Sequence, residues 1–250
     1  MLEGFSFGNK NKRRPEISKN DRQSFFQIFF SKFWSLLVLN MLYFICIVPV
    51  VTFGPATCAM TKVLRNYSQE RSVFLFTDFF SAFKSNFKQS FFVGIFDIAS
   101  IIGYYYAFTY YIPMLIENSI SYLLIFSCLI ISLIIFIMAH FYIYLMIVSI
   151  TLPLGSILKN SLILAIAEMK ANAIPLLVSL VIFVAAYLFL PISLLFLPVF
   201  PFAFMGLVIC YKSYPVIRKH IIQPYYDRMG ELNPEFEYMR VTGNECKPKE

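Results

Sequence analysis

Three polar residues lie inside long apolar stretches of the sequence, where an ionisable or amide side chain is costly and normally has a partner. Each apolar stretch has one end that is flanked by basic residues. With the rise per residue of a helix, Asn40 and Asp97 lie about 10 Å from that end of their stretches, and His140 lies about 12 to 15 Å from it. We therefore predict that Asp97 and His140 pair across two helices, with Asn40 nearby, in one polar layer. Such a layer could carry a proton or a substrate. The alternative is that it only joins helices by hydrogen bonds worth about 1 kcal/mol each.

Motifs of soluble enzymes are absent from the sequence, which lacks the GxxxxGK[ST], GxGxxG, HExxH and GxSxG patterns. The chain has only two histidines, and its five cysteines show no metal-ligand spacing, so we interpret the cysteines as packing residues. Nucleic-acid binding would need a basic folded face, whereas the basic residues here are dispersed. We predict no enzyme activity, no cofactor, no metal site and no nucleic-acid partner.

The composition is that of an integral membrane protein. Of 250 residues, 59% are hydrophobic and 14% are charged, and the mean hydropathy is +0.70. Soluble domains are about 45–50% apolar and about 25% charged. Membrane lipids are therefore the surroundings that this chain needs.

The positions of the 21 lysines and arginines predict the topology, because basic residues are retained on the cytoplasmic side of a membrane. None lies in the segment from Ile112 to Ser121, so we expect this segment on the outer face. The polar N-terminal segment has no apolar core or cleavage site of a signal peptide. We predict a cytoplasmic basic segment over residues 1–24, a helical transmembrane domain over 25–214, and a cytoplasmic polar tail over 215–250.

The first apolar run, Phe33 to Val51, is just long enough to cross a membrane and is broken at VPVVTFGP. A proline suits the first turn of a new helix, where its missing N–H does no harm. The segment from Pro55 to Tyr67 would be about 20 Å long as a helix, which is short for a full crossing. We predict a hairpin whose second arm is short, tilted or re-entrant, with a candidate motif at its turn: Gly54, Pro55, Ala56 and Thr57.

The rest of the chain predicts an all-α, polytopic bundle of about five to six membrane-embedded helices plus amphipathic helices on the inner interface. Phenylalanines at helical spacing from Phe76 to Phe91 indicate one such interface helix, which either connects spans or docks a cytoplasmic partner. Spans follow over Gly94 to Ile112 and Tyr122 to Leu152. A second interface helix, or the inner end of a span, comes next, and residues 173–210 supply two more spans.

The same stretches resemble the YesL family of bacterial membrane proteins, a domain of unknown function. The resemblance rests on LNMLYFICIVPVVTFGPATCAMTKVLRNYSQE, FFSAFKSNFKQSFFVGIFD and LPLGSILKNSLILAIAEMKAN. Its matching residues are Asn40, Gly54, Pro55, Ala56, Thr57, Arg65, Gly94 and Asp97. The resemblance implies a multi-pass protein of the bacterial plasma membrane that is frequently associated with sugar uptake. It implies no catalytic residues.

Two functions remain open at this point. The first is a non-enzymatic accessory protein that binds the permease subunits of a carbohydrate importer. The second is a small stand-alone transporter or channel that uses the broken hairpin and the polar layer, since interrupted helices at membrane depth often mark a binding site. A transporter predicts a water-accessible cavity that reaches Asp97, whereas an accessory protein predicts a packed bundle with an apolar, aromatic side surface.

Overall fold

The computed structural model describes residues 23–116 and 120–230, and every regular element in these two ranges is a helix. The elements are α1 (Phe25–Ser31), α2 (Phe33–Ile47), α3 (Phe53–Ser68), α4 (Leu75–Ser85), α5 (Phe87–Ile116), α6 (Ile120–Ile147), α7 (Leu154–Ala167), α8 (Met169–Leu188), α9 (Ser193–Phe196), α10 (Pro201–Ile217), a π-helical turn (Arg218–Ile222) and α11 (Gln223–Met229). Most of the basic N-terminal segment, Glu117 of the outer loop and the end of the tail lie outside the described residues. The predicted all-α class is confirmed.

Three of these helices are long and apolar enough to cross a membrane: Phe87–Leu115, Tyr122–Ile147 and Met169–Leu188. The pair α1 and α2 passes the same test together, with a bend of 73° between them, so it makes a fourth span if the two are counted as one. The helices α3 and α10 have 16 and 17 residues. They extend about 25 Å, less than the roughly 30 Å of the hydrocarbon core.

The short helix α3 lies at the centre of the bundle. It contacts α2, α4, α5, α6 and α10, and twelve of its sixteen residues are buried. Small and medium side chains, including those of Ala56, Ala59 and Val63, are fully buried on it. Because these side chains are short, neighbouring helices can pack closely on every side of α3.

The break between α2 and α3 is a tight turn over residues 48–52, as the prolines and glycine predicted. Val50 has a φ of 56°, in the left-handed region that a β-branched residue rarely adopts. The Thr52 hydroxyl donates a hydrogen bond to the Cys46 carbonyl, and the Val50 N–H donates to the Ile47 carbonyl. These bonds satisfy backbone groups that the break would otherwise leave without partners.

The phenylalanine-rich stretch forms two helices rather than the single interface helix that we predicted. The first, α4, ends at Ser85, where the Asn86 side chain and N–H both bond the Ala82 carbonyl. Phe79 is fully buried in the core, whereas Phe76 is 57% exposed. The regularly spaced phenylalanines are therefore divided between the protein core and the outer surface. Their spacing alone could not show which of them are buried.

The helical core also extends past the domain boundary that we predicted at residue 214. The helix α10 continues to Ile217, and the side chains of Tyr214 and Ile217 are buried. The polar residues of this stretch suggested a tail, but its apolar residues pack into the helical core.

Two glycines allow α3 and α5 to approach closely. A Cβ atom on Gly54 would lie 1.9 Å from the Ser90 carbonyl oxygen, and one on Gly94 would lie 2.7 Å from the Gly54 nitrogen. Both obstacles are backbone atoms, so neither can move aside without shifting a helix. Small residues at such crossings are the usual means by which helices associate in membranes.

We expect Gly54→Ala and Gly94→Ala each to lower the free energy of unfolding by at least about 1–3 kcal/mol, because the added methyl group overpacks the crossing. The measurement is the thermal unfolding midpoint of purified protein in detergent. Gly103→Ala is the matched control: it lies on α5 with no atom within 4 Å of its new Cβ, and alanine favours a helix over glycine. Equal midpoints for Gly54→Ala and Gly103→Ala would contradict the crossing.

An ion pair joins the start of α8 to the π-helical turn. His220 Nε2 lies 2.6 Å from Glu168 Oε1, and Lys219 Nζ lies 3.6 Å from the same oxygen. The hydrogen bond from His220, followed by the charges of Lys219 and His220, lowers the pKa of Glu168 from its ordinary value of 4.5. The folded carboxyl is therefore the stronger acid, so its stabilising effect is present above pH 4.5 and is lost as the pH falls through the lowered pKa.

Glu168→Gln should consequently reduce stability at neutral pH by about 0.2–1 kcal/mol, as for an exposed ion pair. A pH series of thermal midpoints should show this deficit shrinking towards zero as the pH falls from 4.5 through the lowered pKa, below which the native carboxyl is also protonated. A deficit that persists unchanged into acid would contradict the ion pair as its cause.

Candidate functional site

Asp97 on α5 and His140 on α6 are in direct contact. His140 Nε2 lies 2.5 Å from Asp97 Oδ1, and the Tyr144 hydroxyl donates to Asp97 Oδ2, also at 2.5 Å. His140 and Tyr144 are four residues apart on α6, so both side chains reach α5 from one face. Asp97 is only 4% exposed. The structure thus brings together two of the three residues of the predicted polar layer.

The hydrogen-bond partners of the imidazole fix the number of protons in this cluster. His140 Nδ1 lies 2.9 Å from the Phe136 carbonyl oxygen, which can only accept, so Nδ1 carries a hydrogen. One more proton must lie between Nε2 and the Asp97 carboxyl. It resides either on the imidazole, making an ion pair, or on the carboxyl, making a neutral pair. The cluster can therefore exchange one proton between two groups without any change in its hydrogen bonds.

Asn40 does not join this cluster, contrary to the predicted three-residue layer. Its Nδ2 donates to the Leu197 carbonyl at 3.0 Å, and its Oδ1 accepts from the Ala203 N–H at 2.8 Å. The Ala203 N–H belongs to the first turn of α10, where backbone donors have no partner inside the helix. Asn40 therefore caps α10. Depth in the membrane predicts the height of a side chain, but not the direction in which it points around its helix.

The motif from Gly54 to Thr57 makes structural contacts. Gly54 lies at the crossing with α5, and Pro55 lies in the first turn of α3. The Thr57 hydroxyl donates to the Phe53 carbonyl at 2.8 Å, so it accepts from the Tyr43 hydroxyl of α2 at 3.3 Å. The motif thus joins α3 to both α2 and α5.

Arg65 holds the end of α6, a role that our reading of the sequence did not assign. It is buried, and its Nη1 donates to the Val148 carbonyl at 2.8 Å and to Ser149 Oγ at 3.0 Å. A cation at the C-terminus of a helix is favoured by the helix dipole. Spacing could have indicated that Arg65 faces the bundle interior, because it is eleven residues after Gly54 and so lies on nearly the same face of α3.

Asn172 is a second polar residue that sequence reasoning missed. It is fully buried, accepts from the Tyr142 hydroxyl of α6 at 2.5 Å, and donates to the Ala165 carbonyl of α7 at 3.1 Å. It lies in the first turn of α8, beside Glu168 and Lys170, in the stretch that we predicted to be a second interface helix or the inner end of a span. Three helices meet at this one amide.

Across the two described ranges, no group of three or more histidine, cysteine, aspartate or glutamate side chains is placed to hold a metal ion. The buried polar groups named above are bonded to one another or to the backbone. The arrangement can hold helices together and, at Asp97 and His140, share a proton.

Comparison with known proteins gives a family match, which lies in the first half of the chain. Residues 36–110 match the family model described as "Protein of unknown function, DUF624". The matched range includes Asn40, the motif at the turn, Arg65, Gly94 and Asp97, but ends before His140. Neither the curated proteins nor the solved structures contain a match to this chain.

A double-mutant cycle tests the contact between Asp97 and His140. Each of Asp97→Leu and His140→Leu alone leaves a buried polar group without its partner, at a cost of about 3–5 kcal/mol. The double variant leaves neither group, so its loss should be smaller than the sum by about 1–3 kcal/mol. The measurement is the unfolding free energy from denaturant titration in mixed micelles.

The matched control cycle is Tyr104→Phe with Ser132→Ala, an exposed contact of 3.2 Å between the same two helices. Its coupling should stay within about 0.5 kcal/mol. Additive losses for Asp97→Leu and His140→Leu would show that the two side chains do not interact.

Proposed function

We propose that this protein is a non-enzymatic accessory component of a carbohydrate importer in the bacterial plasma membrane. The observation that carries the proposal is that both carboxylate oxygens of Asp97 are hydrogen-bonded inside the bundle. Asn40 is likewise bonded through both of its polar atoms. Buried polar groups that are already satisfied within the bundle favour a packed scaffold over a substrate pathway.

Exposed aromatic side chains supply the docking surface in this proposal. On α4, Phe76 and Phe80 are 57% and 43% exposed, while Phe79 anchors the same helix in the core. A helix that is fixed on one side and aromatic on the other suits contact with the apolar helices of a partner. The carbohydrate importer as that partner comes from the resemblance to the YesL family, and the match to the family of unknown function is compatible with it.

The proposal also sets the orientation. Basic residues flank the α1 to α4 region, so we place the chain termini and α4 on the cytoplasmic side. In this orientation, α4 lies at the cytoplasmic ends of the membrane helices, where the apolar helices of a permease subunit would reach it.

A second candidate, a small proton-coupled transporter, is favoured by one observation. The proton held between Asp97 and His140 has two neighbouring sites, and the His140 side chain is 19% exposed. Ionisable groups inside membrane spans often serve as proton relays. This function would require the bundle to open, because Asp97 is buried in the described arrangement.

Affinity purification of the tagged protein from its native membrane in mild detergent, followed by mass spectrometry, distinguishes the two functions. We expect permease subunits of a sugar importer to be recovered reproducibly with the wild-type protein. Phe76→Ser combined with Phe80→Ser should reduce that recovery by about tenfold, since aromatic anchors dominate interface energies.

The control variant combines Phe183→Ser with Val184→Ser, which are also exposed but lie on α8. It should leave recovery unchanged. Recovery of the protein alone, together with proton-coupled flux after reconstitution that Asp97→Asn abolishes, would replace the accessory function with the transporter.

A further inference from the structure

A cavity of about 610 Å³ lies at one end of the bundle, between the junction of α4 with α5 and the connection from α6 to α7. One wall is formed by residues 84–86, Lys88 and Gln89, and the opposite wall by Ile147 and residues 150–153. This volume falls within the range of about 300–1,000 Å³ that is typical of small-molecule sites. None of the polar residues considered above as the candidate site lines it.

The cavity lies at a boundary between membrane and water. It is lined by the first turn of α5 and by the last residue of α6, which are two contacting, membrane-long helices that run in opposite directions. The start of one and the end of the other therefore mark the same side of the bilayer. The headgroups of lipids in that leaflet lie at this level.

The charge of the cavity suits an anion. Lys84 and Lys88 both line it, and no carboxylate is among its lining residues. Ser85, Asn86 and Gln89 add uncharged polar groups to the same wall. The cavity also lies beside the first turn of α5, at the positive end of the helix dipole, which adds to the effect of the two ammonium groups.

The opposite wall is mostly apolar, and this feature narrows the class of anion. Ile147, Ile150, Leu152 and Pro153 supply carbon surface facing the basic wall. Gln89 Nε2 donates to the Leu152 carbonyl at 3.1 Å and so ties the two walls together. A site that is basic on one side and apolar on the other matches a molecule that carries a phosphate next to hydrocarbon.

We propose that this cavity binds the phosphate headgroup of an anionic phospholipid from the surrounding leaflet. Lys84 and Lys88 contact the phosphate, and the apolar wall contacts the glycerol and the first part of the acyl chains. Basic pockets between membrane helices on the cytoplasmic side are a known setting for such headgroups. The inference does not depend on the proposed accessory function, since it uses neither the Phe76 surface nor a permease.

The test measures binding of short-chain, water-soluble phosphatidylglycerol to the purified full-length protein in detergent, by isothermal titration calorimetry. Phosphatidylcholine of the same chain length is the zwitterionic comparison with zero net charge, and glycerol 3-phosphate is the comparison without acyl chains. We expect phosphatidylglycerol to bind at least about tenfold more tightly than either.

The double variant Lys84→Gln, Lys88→Gln should weaken phosphatidylglycerol binding by about tenfold or more, because each lysine near a lipid surface contributes roughly a fivefold effect. Lys159→Gln combined with Lys170→Gln removes the same charge from exposed positions of α7 and α8 and should leave binding unchanged. Thr151→Trp keeps both lysines but fills the cavity, and it should also abolish binding. This third variant keeps the test decisive if the lysine variant does not fold.

Three results would overturn the proposal. Equal affinity for phosphatidylglycerol and phosphatidylcholine would show that the site does not distinguish lipids by the net charge of their headgroups. Equal affinity for glycerol 3-phosphate would show a site for soluble phosphate compounds instead of a lipid. An equal loss of binding in the two double-lysine variants would show that only the overall charge attracts the lipid.

Discussion

The backbones of α3 and α5 meet at Gly54 and Gly94, where neither residue has room for a Cβ atom. Lipid is as apolar as the helix surfaces, so helices in a membrane associate through such close packing and not through the removal of apolar surface from water. The crossing fixes the height and rotation of α5 relative to the buried α3. Asp97 is three residues beyond Gly94, so the same crossing places this carboxyl where α6 can bond it.

Polar side chains then join the remaining helices one contact at a time. Asn40 joins α2 to the start of α10, Arg65 joins α3 to the end of α6, and Asn172 joins α8 to α6 and α7. A polar group without a partner costs several kcal/mol in a medium without water, so each of these contacts also specifies which helices are neighbours. Because the interior polar groups serve this purpose, the surface is where we locate function: the aromatic side of α4 and the basic cavity beside it.

Much of this arrangement follows from the sequence, and the exceptions have physical reasons. Apolar length predicted the three long spans, whereas α10 is shorter than the second span that we expected in residues 173–210. The need of a buried ion for a partner predicted the contact of Asp97 with His140. The same reasoning failed for Asn40, because depth does not determine the direction of a side chain. It also ended the transmembrane domain at Tyr214, although the helix continues to Ile217 and the buried ring of Tyr214 has Arg65 5.7 Å from its centre. That contact joins residues about 150 positions apart, which no local pattern reveals.

The interior around α3 is closed to water, and the accessibility of Cys58 tests this property most directly. This residue lies on α3, just beyond the motif at the turn, and is fully buried. A variant that keeps Cys58 as its only cysteine would be labelled in native membranes with a charged, water-soluble methanethiosulfonate. Lys159→Cys, at an exposed position of α7 outside the cavity, sets the rate of an exposed thiol in a background without other cysteines. The packed bundle predicts that Cys58 reacts at least roughly a hundredfold more slowly. Comparable rates for the two thiols would mean that water reaches the centre of the bundle and would contradict the account.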